Sequence, residues 1–403
     1  MRYLALCCIA KNETPFLREW VAYHALRGVE HFYIYDNMSD EPIIETLKGY
    51  ADPARVTVKR IHGKVRQLDA YQDCLDHYGA ENRWIGFIDL DEFVLPMQDS
   101  DIRVLLSEFE EYAALGLTWR VFSSSGHLGR PRGGQLANYT EALLDGHLRN
   151  AHIKSFVNPA RIAGSRNPHF FWYKPGGYAV TDEHLPIPPD LAYAPSLRKL
   201  ARINHYFYRS QQDFEEKILR GRGTVADPAL NNKITSFWGQ TRYPVEEDRE
   251  ILRFWPPLKA ALKTNSLPRP YMPDLPATAS FPEYFSAAMA LAEAGRTEDA
   301  SVVLCHAAIQ HSNQAELWFL RALLARSSGH LERAERFIKH ALTLDYDPNA
   351  YLELASIHLM KGEKAQAEAV CRFLRFLRPL RDDMGPELDG ALDRMESAIL
   401  AAP

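Results

Sequence analysis

Trp84-Ile85-Gly86-Phe87-Ile88-Asp89-Leu90-Asp91-Glu92 decides the fold of this 403-residue chain. The run before Asp89 suits a strand buried on both faces of a parallel sheet, and the acidic cluster marks its carboxyl end. The same alternation recurs toward the N-terminus. Residues 2–10 are a continuous apolar run. Thr14-Pro15 then supplies an N-cap and a proline at the first helical position. Phe16, Trp20, Tyr23 and His24 follow at helical spacing, and Gly28 stops the helix. Residues 31–35 form an aromatic and β-branched strand ending at Asp36-Asn37. Ser39 caps a helix to about Tyr50, residues 56–61 are a third strand, and a helix through Leu68, Tyr71, Leu75 and Tyr78 ends at Gly79. Residues 84–88 are then the fourth strand. This β-α-β-α-β-α-β order implies a parallel sheet with right-handed crossovers. Ligands in such sheets bind beyond the carboxyl ends of the strands. The rule gathers Lys11-Asn12-Glu13, Asp36-Asn37 and the cluster from Asp89 to Glu92 around one cleft.

Toward the C-terminus, residues 116–270 are less regular, with short strands, a turn at residues 186–189 and a helix from Gln211 to Arg220. Residues 267–282 hold five prolines and read as a linker. Beyond them the pattern is helical and repeats. Gly295, Gly329 and Gly362 lie 34 and then 33 residues apart, and Ala300, Ala334 and Ala367 keep that spacing, as do Tyr284, Trp318 and Tyr351. A period near 34 with an aromatic, a mid-hairpin glycine and packing alanines matches the tetratricopeptide pattern. Each hairpin needs a neighbour to cover its apolar face, so the repeats stack, with a closing helix over residues 385–401. The expected architecture is an α/β mixed-sheet domain over 1–270 followed by an all-α repeat domain over 271–403.

Composition narrows the function classes. Apolar residues make up 46% and charged residues 25%, an ordinary globular balance. A formal net charge of -5 gives no electrostatic case for nucleic acid as a partner. The five cysteines show no zinc or redox spacing and read as buried thiols in a reducing compartment. Residues 1–13 read as a first strand and not as a signal peptide. No stretch approaches the roughly 18 consecutive apolar residues of a membrane-spanning helix. The expected location is cytoplasmic, with room for peripheral attachment at the inner face of a membrane.

Two carboxylates separated by one residue, Asp89 and Asp91, can both approach a hard divalent cation such as Mn²⁺ or Mg²⁺ that also holds a diphosphate. The plainer alternative is a carboxylate pair capping the next loop. Asp36-Asn37 stands where a base or ribose partner sits in nucleotide-binding α/β sheets, or makes a turn. Lys11-Asn12-Glu13 reaches the nucleotide or starts the helix. His205, within Ile203-Asn204-His205-Tyr206-Phe207, is a ligand or a core histidine. The following helix and its end carry Lys217, Arg220 and Arg222, which suit a pyrophosphate or a solvated face. If a general base is needed near an acceptor hydroxyl, Glu92, His169, Asp182 and Glu183 are the candidates.

These residues, taken together, resemble glycosyltransferase family 92 and its bacterial, family 2-like relatives. The likeness rests on Cys8-Ile9-Ala10-Lys11-Asn12-Glu13, Glu19-Trp20, Tyr23-His24, Gly28-Val29 and the run from His31 to Asn37. Asp89-Leu90-Asp91-Glu92-Phe93 looks like the family's Asp-x-Asp-Glu-Phe motif. Trp119, Phe122 to His127, Lys154-Ser155, Pro168-His169-Phe170 and Asn204-His205-Tyr206 through Arg222 look like its later blocks. The likeness covers about residues 3 to 225. Ser123 departs from it, since the family often carries glycine there. The resemblance implies a GT-A fold, a nucleotide-sugar donor (UDP-sugar favoured) and a divalent metal, usually manganese. It implies that Asp89 and Asp91 hold the metal-diphosphate with His205 as a further ligand. It also implies that Asp36 contacts the nucleotide, and Lys217 and Arg222 the phosphates. The expected acceptor is a glycan or glycolipid, and the repeats are expected to take a protein partner or a second copy. Two alternatives stay open: a scaffold whose repeats act while the first domain is degenerate, and an Asp-x-Asp phosphatase.

Overall fold

A computed structural model describes residues 1–195, 198–220, 243–276, 278–380 and 386–402. The chain divides into two compact units, Met1–Tyr271 and Met272–Pro403. The first is a mixed α/β domain and the second is all-helical, as the periodicities require.

In the first unit β1 (Arg2–Ala10), β2 (His31–Asp36), β3 (Val56–Arg60) and β4 (Asn82–Phe87) run parallel in the order β3-β2-β1-β4. The crossovers are α1 (Thr14–Leu26), the single-turn α2 (Ile43–Leu47) and α3 (Gln67–Tyr78). Parallel pairing brings all four strand ends to one rim. α2 is shorter than expected because Pro42 keeps the residue before it out of the helical region, so the turns start only at Ile43. Ser39 is not its cap: its hydroxyl accepts the Asn12 backbone N–H at 3.0 Å.

Beyond β4 the sheet becomes mixed. After β5 (Glu92–Pro96), β6 (Ala114–Val121) and β7 (Glu141–Leu143), β8 (Ile153–Val157) runs antiparallel between β4 and β6. β9 (Ile162–Ser165) and β10 (Phe171–Tyr173) form a hairpin packed on α3. β11 (Ala179–Val180) and β12 (Pro186–Ile187) close that edge of the sheet. Residues 186–187, expected in a turn, are thus an edge strand, a position that tolerates a proline without a ladder donor. β13 (Ala201–His205) pairs parallel with β6 and antiparallel with β5. β6 therefore splits its partners: Ala114 and Leu115 face β11, while Trp119, Arg120 and Val121 face β13. Gly86 in β4 is a packing necessity, because a Cβ there would lie 2.4 Å from Phe156 and 2.6 Å from Leu6.

The other edge of β5 is covered by α1. Trp20 Nε1 donates to the Glu92 carbonyl at 2.9 Å, Tyr23 Oη donates to the Val94 carbonyl at 2.8 Å, and the Val94 N–H donates to His24 Nε2 at 3.2 Å. Side chains thus satisfy an edge that would otherwise be buried with open backbone groups. Residues 267–271 belong to this unit and are not free linker. Leu267 is buried, its N–H reaches the Tyr50 carbonyl, and Arg55 and Arg103 donate to the carbonyls of Pro268 and Tyr271. All five cysteines are buried free thiols.

The second unit holds helical hairpins at the expected spacing: Phe281–Glu293 with Thr297–His311, Ala315–Ser327 with Leu331–Leu344, and Pro348–Met360 with Lys364–Leu377, followed by Pro386–Ala401. Gly295, Gly329 and Gly362 sit at φ 75°, 80° and 77°, the left-handed conformation that ends each first helix without a Cβ penalty. Ala300, Ala334 and Ala367 are fully buried. Trp318 packs inward against Phe337 and His340 and donates from Nε1 to the Ser312 carbonyl at 2.8 Å. No described helix is long and apolar enough to cross a membrane.

Candidate active site

The carboxylates of Asp89 and Asp91 stand just past β4, and each is held by a lysine. Asp89 accepts from Gln67 Nε2 at 3.0 Å and from Lys154 Nζ at 2.8 Å. Asp91 accepts from Lys217 Nζ at 2.6 Å, and its Oδ2 lies 3.6 Å from His205 Nε2. β5–β13 pairing sets that last approach, because His205 stands opposite Glu92 in the register and the Tyr206 N–H donates to the Asp91 carbonyl at 2.8 Å. The helix Gln211–Arg220 brings Lys217 over the Phe207 ring at 4.1 Å and onto Asp91.

Burial and charge oppose one another at each of these groups. Burial by itself would raise the Asp91 carboxyl, but the Lys217 ammonium and the His205 imidazole hold it well below the ordinary carboxylate range. Burial lowers His205 below its usual value against the pull of Asp91, which leaves a neutral ring. Burial pushes the Glu92 carboxyl well up; Lys154 opposes that shift, while Asp89 and Asp91 add to it. Glu92 is 0% exposed, accepts the Asp89 N–H at 2.8 Å through Oε2, and has no hydrogen-bond partner at Oε1. It therefore shapes the turn between the two aspartates.

The other expected residues separate into groups. Asp36 is buried and uses both oxygens on the following turn, accepting the N–H groups of Ser39 at 2.8 Å and Ile43 at 3.3 Å. Asn37 donates to the carbonyls of Ile61 and Gly63. Asn12, at φ 53°, exchanges side-chain and backbone hydrogen bonds with Asp40, and Lys11 is partly buried at the end of β1. Glu13 pairs with Arg209 at 2.6 Å, deep in the first unit. His169 is on the same rim as Asp89; its Nδ1 bonds the Ile153 carbonyl at 2.7 Å, and burial lowers it to about 3. Asp182 accepts the N–H groups of Leu200 and Ala201, so it holds the start of β13, while His205 is at the other end, about 13 Å along the strand. Glu183 follows it in the same turn. The side chain of Arg220 and all of Arg222 lie outside the described residues.

Three residues at the site were not among the sequence candidates. Lys154, 1% exposed, supplies the cation between Asp89 and Glu92. Gln67 steadies Asp89 from the first turn of α3. Arg209 bonds Glu13, Gln135 and the Leu90 carbonyl, which anchors the residue between the two aspartates. A lysine inside the apolar run Ile153-Lys154-Ser155-Phe156-Val157 was the available signal, since a buried lysine demands a counter-charge.

Two carboxylates and a neutral imidazole whose Nε2 faces Asp91 form a donor set that a hard or borderline divalent ion accepts. The residues fit such an ion. Their ligand atoms do not all lie within 4.8 Å of one another; among the described residues those of Glu335, His358 and Glu363 in the second unit do. Glu335 and Glu363 there are paired with lysine, as Asp89 and Asp91 are in the first unit.

Comparison with known proteins follows the same residues. The sequence profile described as glycosyltransferase family 92 matches residues 3–218. A glycosyltransferase family 92 protein of Arabidopsis thaliana is 26% identical over 234 residues, 54% of this chain and 37% of that protein. One from Ricinus communis is 27% identical over 223 residues, with the same two shares, 54% and 37%. A galactan β-1,4-galactosyltransferase of Arabidopsis thaliana is 32% identical over 118 residues, 27% of this chain and 23% of that protein. The chain thus spans little more than a third of the length of these family relatives.

Proposed function

The chain belongs to glycosyltransferase family 92, and from that premise we propose that it transfers a hexose from a nucleoside-diphosphate sugar to a glycan or glycolipid acceptor, with a divalent metal held at Asp89, Asp91 and His205. The observation that carries the reading is the approach of Asp91 to His205 at 3.6 Å, beside Asp89 at the mouth of β4. Mn²⁺ or Mg²⁺, when bound, neutralises charge on a departing diphosphate. Lys217 adds a cation on the same side and is positioned to meet phosphate oxygens once Asp91 engages the metal. Lys154 and Gln67 fix the orientation of Asp89, and Glu92 fixes the turn between the two aspartates through the Asp89 N–H. Family likeness favours UDP, and the galactan galactosyltransferase among the relatives favours a galactose donor and a neutral glycan acceptor. A cytoplasmic enzyme with a protein partner, or a second copy, on the helical hairpins completes the proposal.

Calorimetry of the full chain with UDP, GDP, ADP and CDP tests it. Binding of at least one nucleotide in Mn²⁺, lost when the metal is chelated, is the expected result. No binding of any nucleotide with metal present overturns the donor and metal assignment.

A further inference from the structure

Beyond Lys154 the rim changes from charged to aromatic. Trp119, where β6 changes partners, is enclosed by three imidazoles, with ring centroids at 4.2 Å for His205, 4.8 Å for stacked His152 and 5.5 Å for His169. His152 carries the ring of Tyr193 at 4.3 Å, and a β-bridge between the two residues fixes that contact through the backbone. Tyr193 leaves 46% of its surface exposed. Three residues before it, Asp190 pairs with Arg166 at 3.6 Å, and the Arg166 guanidinium lies 5.3 Å from the ring of Trp172, which is 53% exposed. The indole stands over Gly164, its cross-strand partner, where a Cβ would already touch the ring at 3.5 Å. A hairpin braced on α3 through Gln72 and Leu68 carries both residues.

We propose that Tyr193 and Trp172 form an acceptor subsite that binds an uncharged, extended oligosaccharide leading toward His205 and Asp91. The inference rests on the glycosyl-transfer reading above and names where its second substrate sits. Each ring packs on one side, on His152 or beside Arg166, and keeps the rest of its aromatic surface open to a ligand. Pyranose rings offer C–H faces that pack on such rings, while their hydroxyls bond flanking polar groups. Continuity fixes the direction: Tyr193 touches His152, His152 touches Trp119, and Trp119 touches His205 beside Asp91. Charge fixes the class of glycan. Arg166 and Asp190 cancel one another between the two rings, so an acidic glycan or a lipid phosphate finds no unpaired cation in that pair.

Retention on an array of neutral and acidic oligosaccharides of increasing length tests this with the full-length protein. Wild type should retain a neutral series, more strongly as length grows. Trp172→Ala and Tyr193→Ala should each weaken retention by about three- to tenfold, and Trp172→Phe and Tyr193→Phe should restore most of it. Melting curves and Mn²⁺-dependent nucleotide binding, followed in parallel, should be those of wild type in all four variants. Retention by wild type of no glycan, or of acidic glycans alone, overturns the proposal. So does equal retention by the alanine variants, or a loss on Trp172→Ala that shows only with anionic phospholipid vesicles. Nucleotide binding by wild type judges the donor reading separately, so the two failures are distinguishable.

Discussion

Lys154 Nζ lies 2.8 Å from Asp89 Oδ2, in an ion pair whose lysine side chain is 1% exposed and whose aspartate is 33% exposed. The cation enters from inside the sheet, on β8, and meets the carboxylate at its water-facing end. Glu92 Oε2 lies 3.6 Å from the same nitrogen, so one buried ammonium serves two carboxyl groups.

Removing that ammonium should cost stability. Lys154→Met leaves Asp89 and Glu92 close together without a cation, and breaking a buried pair from one side costs about 3–5 kcal/mol. Urea denaturation should show that loss, and adding Glu92→Gln should recover part of it. A single variant as stable as wild type would mean that Lys154 does not hold these carboxylates.

Asp91→Asn should separate folding from donor binding. The substitution removes one charge from a group whose partner Lys217 is partly exposed and can regain water, so melting should shift by only a few degrees. Mn²⁺-dependent nucleotide binding should disappear in calorimetry. Wild-type binding by this variant would falsify the role given to Asp91.

His24 should contribute less to the stability of the first unit in mild acid than at neutral pH. Its Nδ1 bonds the Trp20 carbonyl, and its Nε2 accepts the Val94 N–H, which requires the neutral ring. Burial lowers it to about 3 from an ordinary value near 6.5. The unfolded chain therefore binds the extra proton first, and stability falls as pH drops below about 6.5 toward 3. Between pH 7 and 5 the contribution is about 2 kcal/mol. Glu19 works the other way: burial raises it to about 7 despite its bonds to the N–H groups of Gln135 and Leu136. It favours the folded state below about 4.5 and withdraws that support as pH rises to 7. Denaturation curves at pH 7 and 5 for wild type and His24→Asn check the first effect. The stability gap between wild type and variant should narrow by about 2 kcal/mol from pH 7 to pH 5, because Glu19 acts equally in both.

In the second unit Ala334→Leu should lower thermal stability by about 1–3 kcal/mol, because Ala334 is 0% exposed and extra methylenes force its neighbours off their rotamers. Circular dichroism melting checks it. The same protein should keep Mn²⁺-dependent nucleotide binding, since Asp89, Asp91 and His205 all belong to the first unit.

Much of this protein is written locally. Apolar runs at residues 2–10, 31–35 and 84–88 with helical spacing between them require parallel strands, and parallel strands put Ala10, Asp36 and Asp89 near one rim. The hairpin spacing is as local, because glycine at positive φ and buried alanine recur with the repeat itself. Asp36 shows the limit of such reading: it reaches the rim, and there its oxygens accept the N–H groups of Ser39 and Ile43. A carboxylate at a strand end looks the same in sequence whether it turns outward or caps its own loop.

Only the tertiary structure decided which distant groups meet at the aspartates. Lys154 lies 65 residues beyond Asp89, and Lys217 lies 126 residues beyond Asp91. His205 reaches Asp91 because β13 pairs with β5 in one register, and a one-residue slip would turn its ring to the other face of the sheet. Sequence periodicity fixes which residues are strand and which end faces the rim. Lateral register and the choice of counter-ion come from packing the whole core and from the cost of burying a charge alone, which no single segment contains.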